Sequence, residues 1–212
     1  MNKETMTVHM LLAEMKTIEK RISKAMEAVV PIATKENASK NVKGIPVEEF
    51  EERAKAGEQR VVDLINRHNA MKSALYQYNT TKEIVVAGKK MTVAHALWLM
   101  QRGMEEKRKL LKHYETAYAK AVTEVEKTNN GTLNAAAERA ADIACGSKDK
   151  ADKDEYLKMV EQYKESHQLV FVDPLHLVDR INELSEEIEK FDAEVDARIQ
   201  TANATTEVEI EY

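Results

Sequence analysis

Twice in this chain a helical pattern runs into an Asn and a short Thr pair, and a strand-like segment follows. The first passes through Ala74, Leu75, Tyr76, Gln77 and Tyr78 to Asn79, Thr80 and Thr81, then turns β-like at Glu83, Ile84, Val85 and Val86. The second passes through Ala197, Arg198, Ile199, Gln200 and Thr201 to Asn203, Ala204, Thr205 and Thr206, then turns β-like at Val208, Glu209 and Ile210. A lone strand leaves its backbone donors and acceptors unmatched, so two short strands launched from two helices are expected to pair.

The remaining residues read as long helices. Apolar residues make up 43% and charged residues 33%, with 6 Gly and 3 Pro in 212 residues, so helix formers far outnumber breakers. A first helix is expected from about Thr5 to Val29. Its residues Leu11, Met15, Ile18, Ile22, Ala25 and Val29 recur at steps of four and three, as in a heptad seam. Pro31 ends it, and residues 31–45 read as a polar loop. Pro46 opens a second helix reaching about Tyr78, with Phe50, Val61, Leu64, Met71, Leu75 and Tyr78 on its stripe and Gly57 as a local weakness.

Ile84–Val86, Ala87-Gly88 and Lys89–Val93 then read as a hairpin. Thr92 caps a third helix that carries Leu97, Met100, Met104, Leu111, Tyr114, Tyr118, Val122 and Val125 and is expected to stop at Asn129, Asn130 and Gly131. A weaker Ala-rich segment covers Thr132–Ser147. The charge run Lys148–Glu155 reads as a solvated loop, a short helix as Lys150–Ser166, and Gln168–Val172 as extended. Asp173 and Pro174 open a last helix striped by Leu175, Val178, Ile181, Leu184, Ile188, Phe191, Val195 and Ile199. The expected fold is mainly α. Long antiparallel, coiled-coil-like helical hairpins form a single domain of residues 1–212, with a less constrained helical insertion at about 128–170. A small three-stranded sheet joins the central hairpin to the C-terminal strand.

Aromatics at 5% are thin for a deep monomeric core, so the helical stripes point to a homo-oligomer. The net charge of −5 and the lack of a basic block give no electrostatic footprint for DNA or RNA. No apolar run reaches the length of a membrane span, and the segment Met1–Met10 has no signal-peptide pattern. A cytoplasmic protein is expected, with no membrane partner and no cofactor. Cys145, in an Ala-rich stretch, reads as a small core residue.

Three constellations carry candidate chemistry. Asn66, Arg67, His68 and Asn69 break the stripe of the second helix. They form either an anion- and amide-reading pocket or a device that sets helix register. Asn79, Thr80 and Thr81 with Asn203, Thr205 and Thr206 form either C-caps and turns or, joined to Arg67, the rest of one polar ligand site. Asp173, His176 and Asp179, three apart at a helix start, read as an N-cap or as metal ligands of a hydrolase.

The early Leu11–Glu14 segment with Arg21-Ile22, the run Leu64–Asn69, Asn79-Thr80-Thr81, Gly88 with Thr92, and the ending Asn203–Thr206 together resemble the septicolysin-like family of helical bacterial proteins. The resemblance covers the two helical ends and the hairpin, not residues 128–170. It implies a ring-like or otherwise oligomeric helical assembly with no assigned activity. It also admits a phage origin, since the family occurs in phage and prophage gene sets. The expected function is a non-catalytic homo-oligomer that holds a small polar or nucleotide-like ligand where helices or subunits meet. By analogy, a phage-encoded protein of this kind would sequester a host immune signal in the host cytoplasm. A structural or assembly protein without a ligand is the alternative, and a metal-dependent hydrolase is the third reading.

Overall fold

The structure, a computed structural model, describes residues 2–146 and 152–212. It is mainly α, with strands confined to short antiparallel pairs. The chain divides into two compact units, Met1–Gln101 with Phe191–Tyr212, and Arg102–Lys190.

The first unit is built on a helical hairpin. Strand β1 (Lys3–Thr7) leads into helix α1 (Val8–Ala28), and helix α2 spans Val47–Thr81. Glu14 meets Arg67 and Val29, just past the end of α1, meets Gly57, so one number falls as the other rises and the helices are antiparallel. Their stripes interdigitate as the heptad reading expects. Leu11, Ile18 and Met71 are fully buried, with Met15, Ile22, Leu64 and Leu75 packed against them. Gly57 leaves no room for a side chain, because a Cβ there would lie 2.8 Å from Val29 Cγ2. What reads in sequence as a local weakness of α2 is the room that Val29 occupies.

Between these helices, β2 (Asn41–Val42) and β3 (Ile45–Pro46) form a minimal hairpin across Lys43 and Gly44, both at positive φ. After α2, β4 (Glu83–Val86) and β5 (Lys89–Thr92) form the expected hairpin. Ala87 and Gly88 both take positive φ, the backbone of a tight turn whose twist matches the strands. Ile84 and Val86 face inward, and Val85 faces out. Glu194 accepts a hydrogen bond from the Ala87 amide at 3.2 Å. Thr92 caps helix α3 (Val93–Trp98), its hydroxyl accepting from the His95 amide at 3.2 Å. A π-helical turn, Leu99–Gly103, follows.

Strand β6 (Glu207–Glu211) corrects the expected sheet. It pairs antiparallel with β1, in the register Lys3↔Glu211, Thr5↔Glu209 and Thr7↔Glu207, and not with the β4–β5 hairpin. Among the described residues, three two-stranded sheets stand in place of one of three strands. The reason lies in the first seven residues, where a helix was expected from Thr5. Lys3–Thr7 are instead extended, and Thr7 is the N-cap that starts α1, its hydroxyl accepting from the Met10 amide. Pairing there places Ile210, fully buried, on the Leu11–Ile18–Met71 core, with Met6, Val208 and Tyr212 around it. Lys3 pairs with both Glu209 and Glu211 across the strands.

The Asn–Thr segments are also reassigned. α2 continues through Thr81, and helix α7 (Leu177–Thr205) continues through Asn203 and Thr205. Thr80, Thr81 and Thr205 donate their hydroxyls to helical carbonyls three or four residues back, so these hydroxyls support the last turn rather than stop it.

The second unit contains α4 (Met104–Glu126), a π-helical turn (Lys127–Thr132), α5 (Leu133–Cys145), α6 (Lys153–His167) and the start of α7. The helix does not stop at Asn129–Gly131. It widens into the π turn and runs on, while the Asn129 amide grips both backbone groups of Leu169 at 2.9 Å. That side chain takes the place of a strand partner, and Gln168–Val172 joins no sheet. α5 and α6 enclose a small core of Ala137, Ala141, Tyr156 and Val160, with Cys145 packed on it. The expected loop at Lys148–Glu155, and the ends expected at Ser147 and Lys150, fall wholly or partly on residues 147–151, outside the described residues. α7 starts at Leu177 rather than at Pro174, after His176 at positive φ.

The packing separates two apolar strand residues. Ile210→Ala is expected to lower stability by about 2–5 kcal/mol, because it opens a cavity in the hairpin core. Val85→Ala, at an exposed position, is expected to stay within about 0.5 kcal/mol of the parent. Urea denaturation of the two variants checks the contrast.

Candidate functional site

Arg67 is drawn inward by carboxylates on other elements. Its Nη1 donates to Glu14 Oε1 on α1 at 2.9 Å and its Nη2 to Glu4 Oε2 on β1 at 2.8 Å. The guanidinium carbon lies 5.8 Å from the centre of the Tyr212 ring, and the Tyr212 hydroxyl donates to the other oxygen of Glu4. The Arg67 side chain is 18% exposed. Its hydrogen bond, followed by that of Tyr212, holds the Glu4 carboxyl below the usual glutamate range. The same Glu4 contact, with burial, pushes the Tyr212 phenol up. The polar break in the stripe therefore brackets α1, α2, β1 and the segment after β6, and the fork that could have gripped an anion is engaged within the chain. Asn66 is exposed, and the His68 ring lies 3.4 Å from Glu19.

A second set of polar residues faces a groove. Asn69, Ser73, Gln77 and Thr81 recur every four residues, so they form a ladder along one side of α2 with a rise of about 6 Å per step. Together with Tyr78, Lys82 and residues Thr206, Glu207, Val208, Glu209 and Glu211 they line a groove of about 900 Å³. No β1 residue lines it, so the groove follows the edge of β6 that β1 does not cover.

The backbone bonding identifies what that edge presents. Tyr212 exchanges both amide bonds with Asn2, at 2.8 and 3.1 Å, and the Thr206 carbonyl accepts from Val8 at 3.0 Å. An antiparallel ladder alternates, so Thr206, Val208, Ile210 and Tyr212 turn their backbone groups to β1. Glu207, Glu209 and Glu211 turn theirs to the open edge. Two strand residues span about 6.7 Å, close to one step of the α2 ladder.

The predicted site residues are thus divided. Asn69 and Thr81 line the groove. Asn203 reaches its wall, its Oδ1 accepting from the buried Tyr78 hydroxyl at 2.9 Å, and burial raises that phenol's pKa. Arg67 sits in the bracket. Thr80 and Thr205 are exposed and bonded to their own helices, and Asn79 is half-buried. Ser73, Gln77 and the open edge of β6 were missed. The four-residue repeat from Asn69 was readable, but its meaning depended on which strand lay beside it. Ahead of α7, Asp173 accepts from the Leu175 and Leu177 amides at 3.3 and 2.7 Å. Since the helix starts at Leu177, Asp173 orders the turn before it and does not occupy the N-cap position. Among the described residues no three His, Cys, Asp or Glu side chains gather as a metal site.

Arg67→Ala is expected to cost about 2 kcal/mol, because it removes the guanidinium shared by two half-buried carboxylates. It leaves Glu4 with the Tyr212 hydroxyl and Glu14 with the more exposed Arg21. Arg67→Lys should recover part of this loss, since an ammonium lacks the fork that reaches both partners. The depressed Glu4 carboxyl contributes stability above the ordinary glutamate range, and this is lost as pH falls through its folded value. The raised Tyr212 phenol contributes below the ordinary tyrosine range, and this is lost as pH rises through its folded value. Melting temperatures across pH for the parent, Glu4→Gln and Tyr212→Phe check both limbs, the variants being flatter at the acid and alkaline ends respectively.

No family model, no curated protein and no solved structure matches this chain.

Proposed function

We propose that this chain is a non-catalytic binding protein that works as a homo-oligomer and holds a polar ligand in the groove between α2 and β6. The observation that carries the reading is the pairing of two hydrogen-bonding walls. Amide and hydroxyl side chains stand at every fourth residue of α2, opposite a strand edge whose backbone groups face the groove. Such walls recognise a partner by donor and acceptor pattern.

The charge of the groove narrows the ligand. Glu207, Glu209 and Glu211 line the groove with Lys82, and Lys3 of β1 pairs with Glu209 and Glu211. Acidic groups still outnumber cations there, which suits a neutral or cationic ligand. A nucleotide, such as a phage protein would sequester from its host, fits this reading if a second copy brings cations to its phosphates. Exposed apolar side chains support assembly. Trp98 is 53% exposed and Val172 90%, surface of the kind that another subunit covers.

Light scattering at micromolar concentration is expected to give a defined oligomer, and a stable monomer would refute the assembly. Thermal shift with a nucleoside, a nucleotide and spermidine tests the groove. A ligand at 100 times its dissociation constant stabilises by about 2.7 kcal/mol. Ser73→Leu with Gln77→Leu is expected to abolish the shift and leave the unliganded melting temperature in place. A shift that survives the double change would overturn the assignment to this groove.

A further inference from the structure

The open edge of β6 has a more specific occupant than a small polar molecule. Resting on the groove reading above, we propose that it takes an extended basic peptide segment, which adds to β6 as a third, antiparallel strand. Three independent observations converge on this.

The first is the backbone. Glu207, Glu209 and Glu211 present their N–H and C=O groups to the groove in the spacing that an incoming strand matches. The second is the opposite wall. Asn69, Ser73, Gln77 and Thr81 run along the groove at nearly the strand repeat, so the polar groups of the helix keep step with the outward backbone groups of β6. The third is charge. The side chains of Glu207, Glu209 and Glu211 are exposed, whereas Val208 and Ile210 pack on the core. Lys3 of β1 pairs with Glu209 and Glu211 from the covered edge, so three carboxylates share one cation and the solvent face of β6 keeps a net negative charge.

That charge pattern also discriminates between partners. A second copy of β6 laid edge to edge would bring glutamates against glutamates, which is unfavourable between directly opposed strand residues. Residues of an incoming strand share a face with the β6 residues opposite them. Those opposite Glu207, Glu209 and Glu211 are therefore Lys or Arg. Those between them face α2 and are short and polar, to meet its amides and hydroxyls. The segment reads as a basic residue alternating with Thr, Ser, Asn or Gln.

The probe is a capped six-residue peptide alternating lysine and threonine, titrated into the ¹⁵N-labelled full chain at low salt. The amides of Glu207, Glu209 and Glu211 are expected to shift and to gain at least tenfold protection from exchange. The Asn69 and Gln77 side-chain amides should shift with them. Methylating the lysine backbone nitrogens of the peptide is expected to abolish binding, and a glutamate–threonine peptide should not bind. Glu209→Pro removes one outward donor and no backbone bond to β1, and the exposed Lys3 it releases keeps Glu211. It is therefore expected to weaken the peptide at least fivefold with little change in melting temperature. Glu209→Gln, which keeps the donor, separates loss of the amide from loss of the charge. Equal binding of the methylated peptide would overturn strand addition. Silence of these amides at millimolar peptide would overturn the proposal. If a nucleoside or spermidine still stabilises the protein in that case, the groove reading stands without the peptide. If none of them does, both fall.

Discussion

One guanidinium joins the two ends of this chain to its central helical hairpin. Arg67 sits on α2, yet its partners are Glu14 on α1, Glu4 on β1 and the ring of Tyr212. A lysine could hold one of these at a time, whereas the planar fork of arginine addresses two carboxylates at once and stacks its face on an aromatic ring. The bracket lies over an apolar core to which Ile210 contributes a fully buried side chain. The polar bonds fix which strand lies where, and the apolar burial supplies most of the driving force.

From this pairing the groove follows. β1 covers one edge of β6, and the core takes the face bearing Val208 and Ile210. What remains is the other edge, and α2 passes beside it with its polar ladder. An open edge is ordinarily a hazard, because it is a template for uncontrolled pairing. Here the three glutamates discourage self-pairing of β6 while leaving the backbone groups available. The feature that protects the edge from its own copies is the same one that selects a basic partner.

Polar residues that interrupt helical patterns serve several ends in this molecule. Thr80, Thr81 and Thr205 extend their helices by bonding back to the preceding turn. Asn129 sits in a helix that widens locally and clamps the backbone of Leu169, forty residues away. Asp173 ties the Leu175 amide of the preceding turn to the Leu177 amide that begins α7. Each choice was settled by the bond that a distant or neighbouring backbone group offered, and composition alone gives no preference among them.

Local periodicity made the apolar stripes of α1, α2 and α7, the hairpin at Ala87-Gly88 and the cap at Thr92 legible in the sequence. Each depends on residues within a turn or two of one another, where side-chain spacing and backbone preference act directly. The same reading recognised that a strand closes the chain. Its partner was beyond reach, because β1 lies some two hundred residues away and pairing at that separation is decided by which surfaces the helices bring together. Lys3–Thr7 reads equally well as the first turn of α1 until Ile210 needs a place in the core. Arg67 stood out as polar in an apolar stripe, but whether it faced a ligand or Glu4 depended on that same long-range contact. The sequence by itself determined the helices and the existence of the last strand. The tertiary structure decided what that strand pairs with, and therefore where the groove lies, because only packing can choose between surfaces of equal local merit.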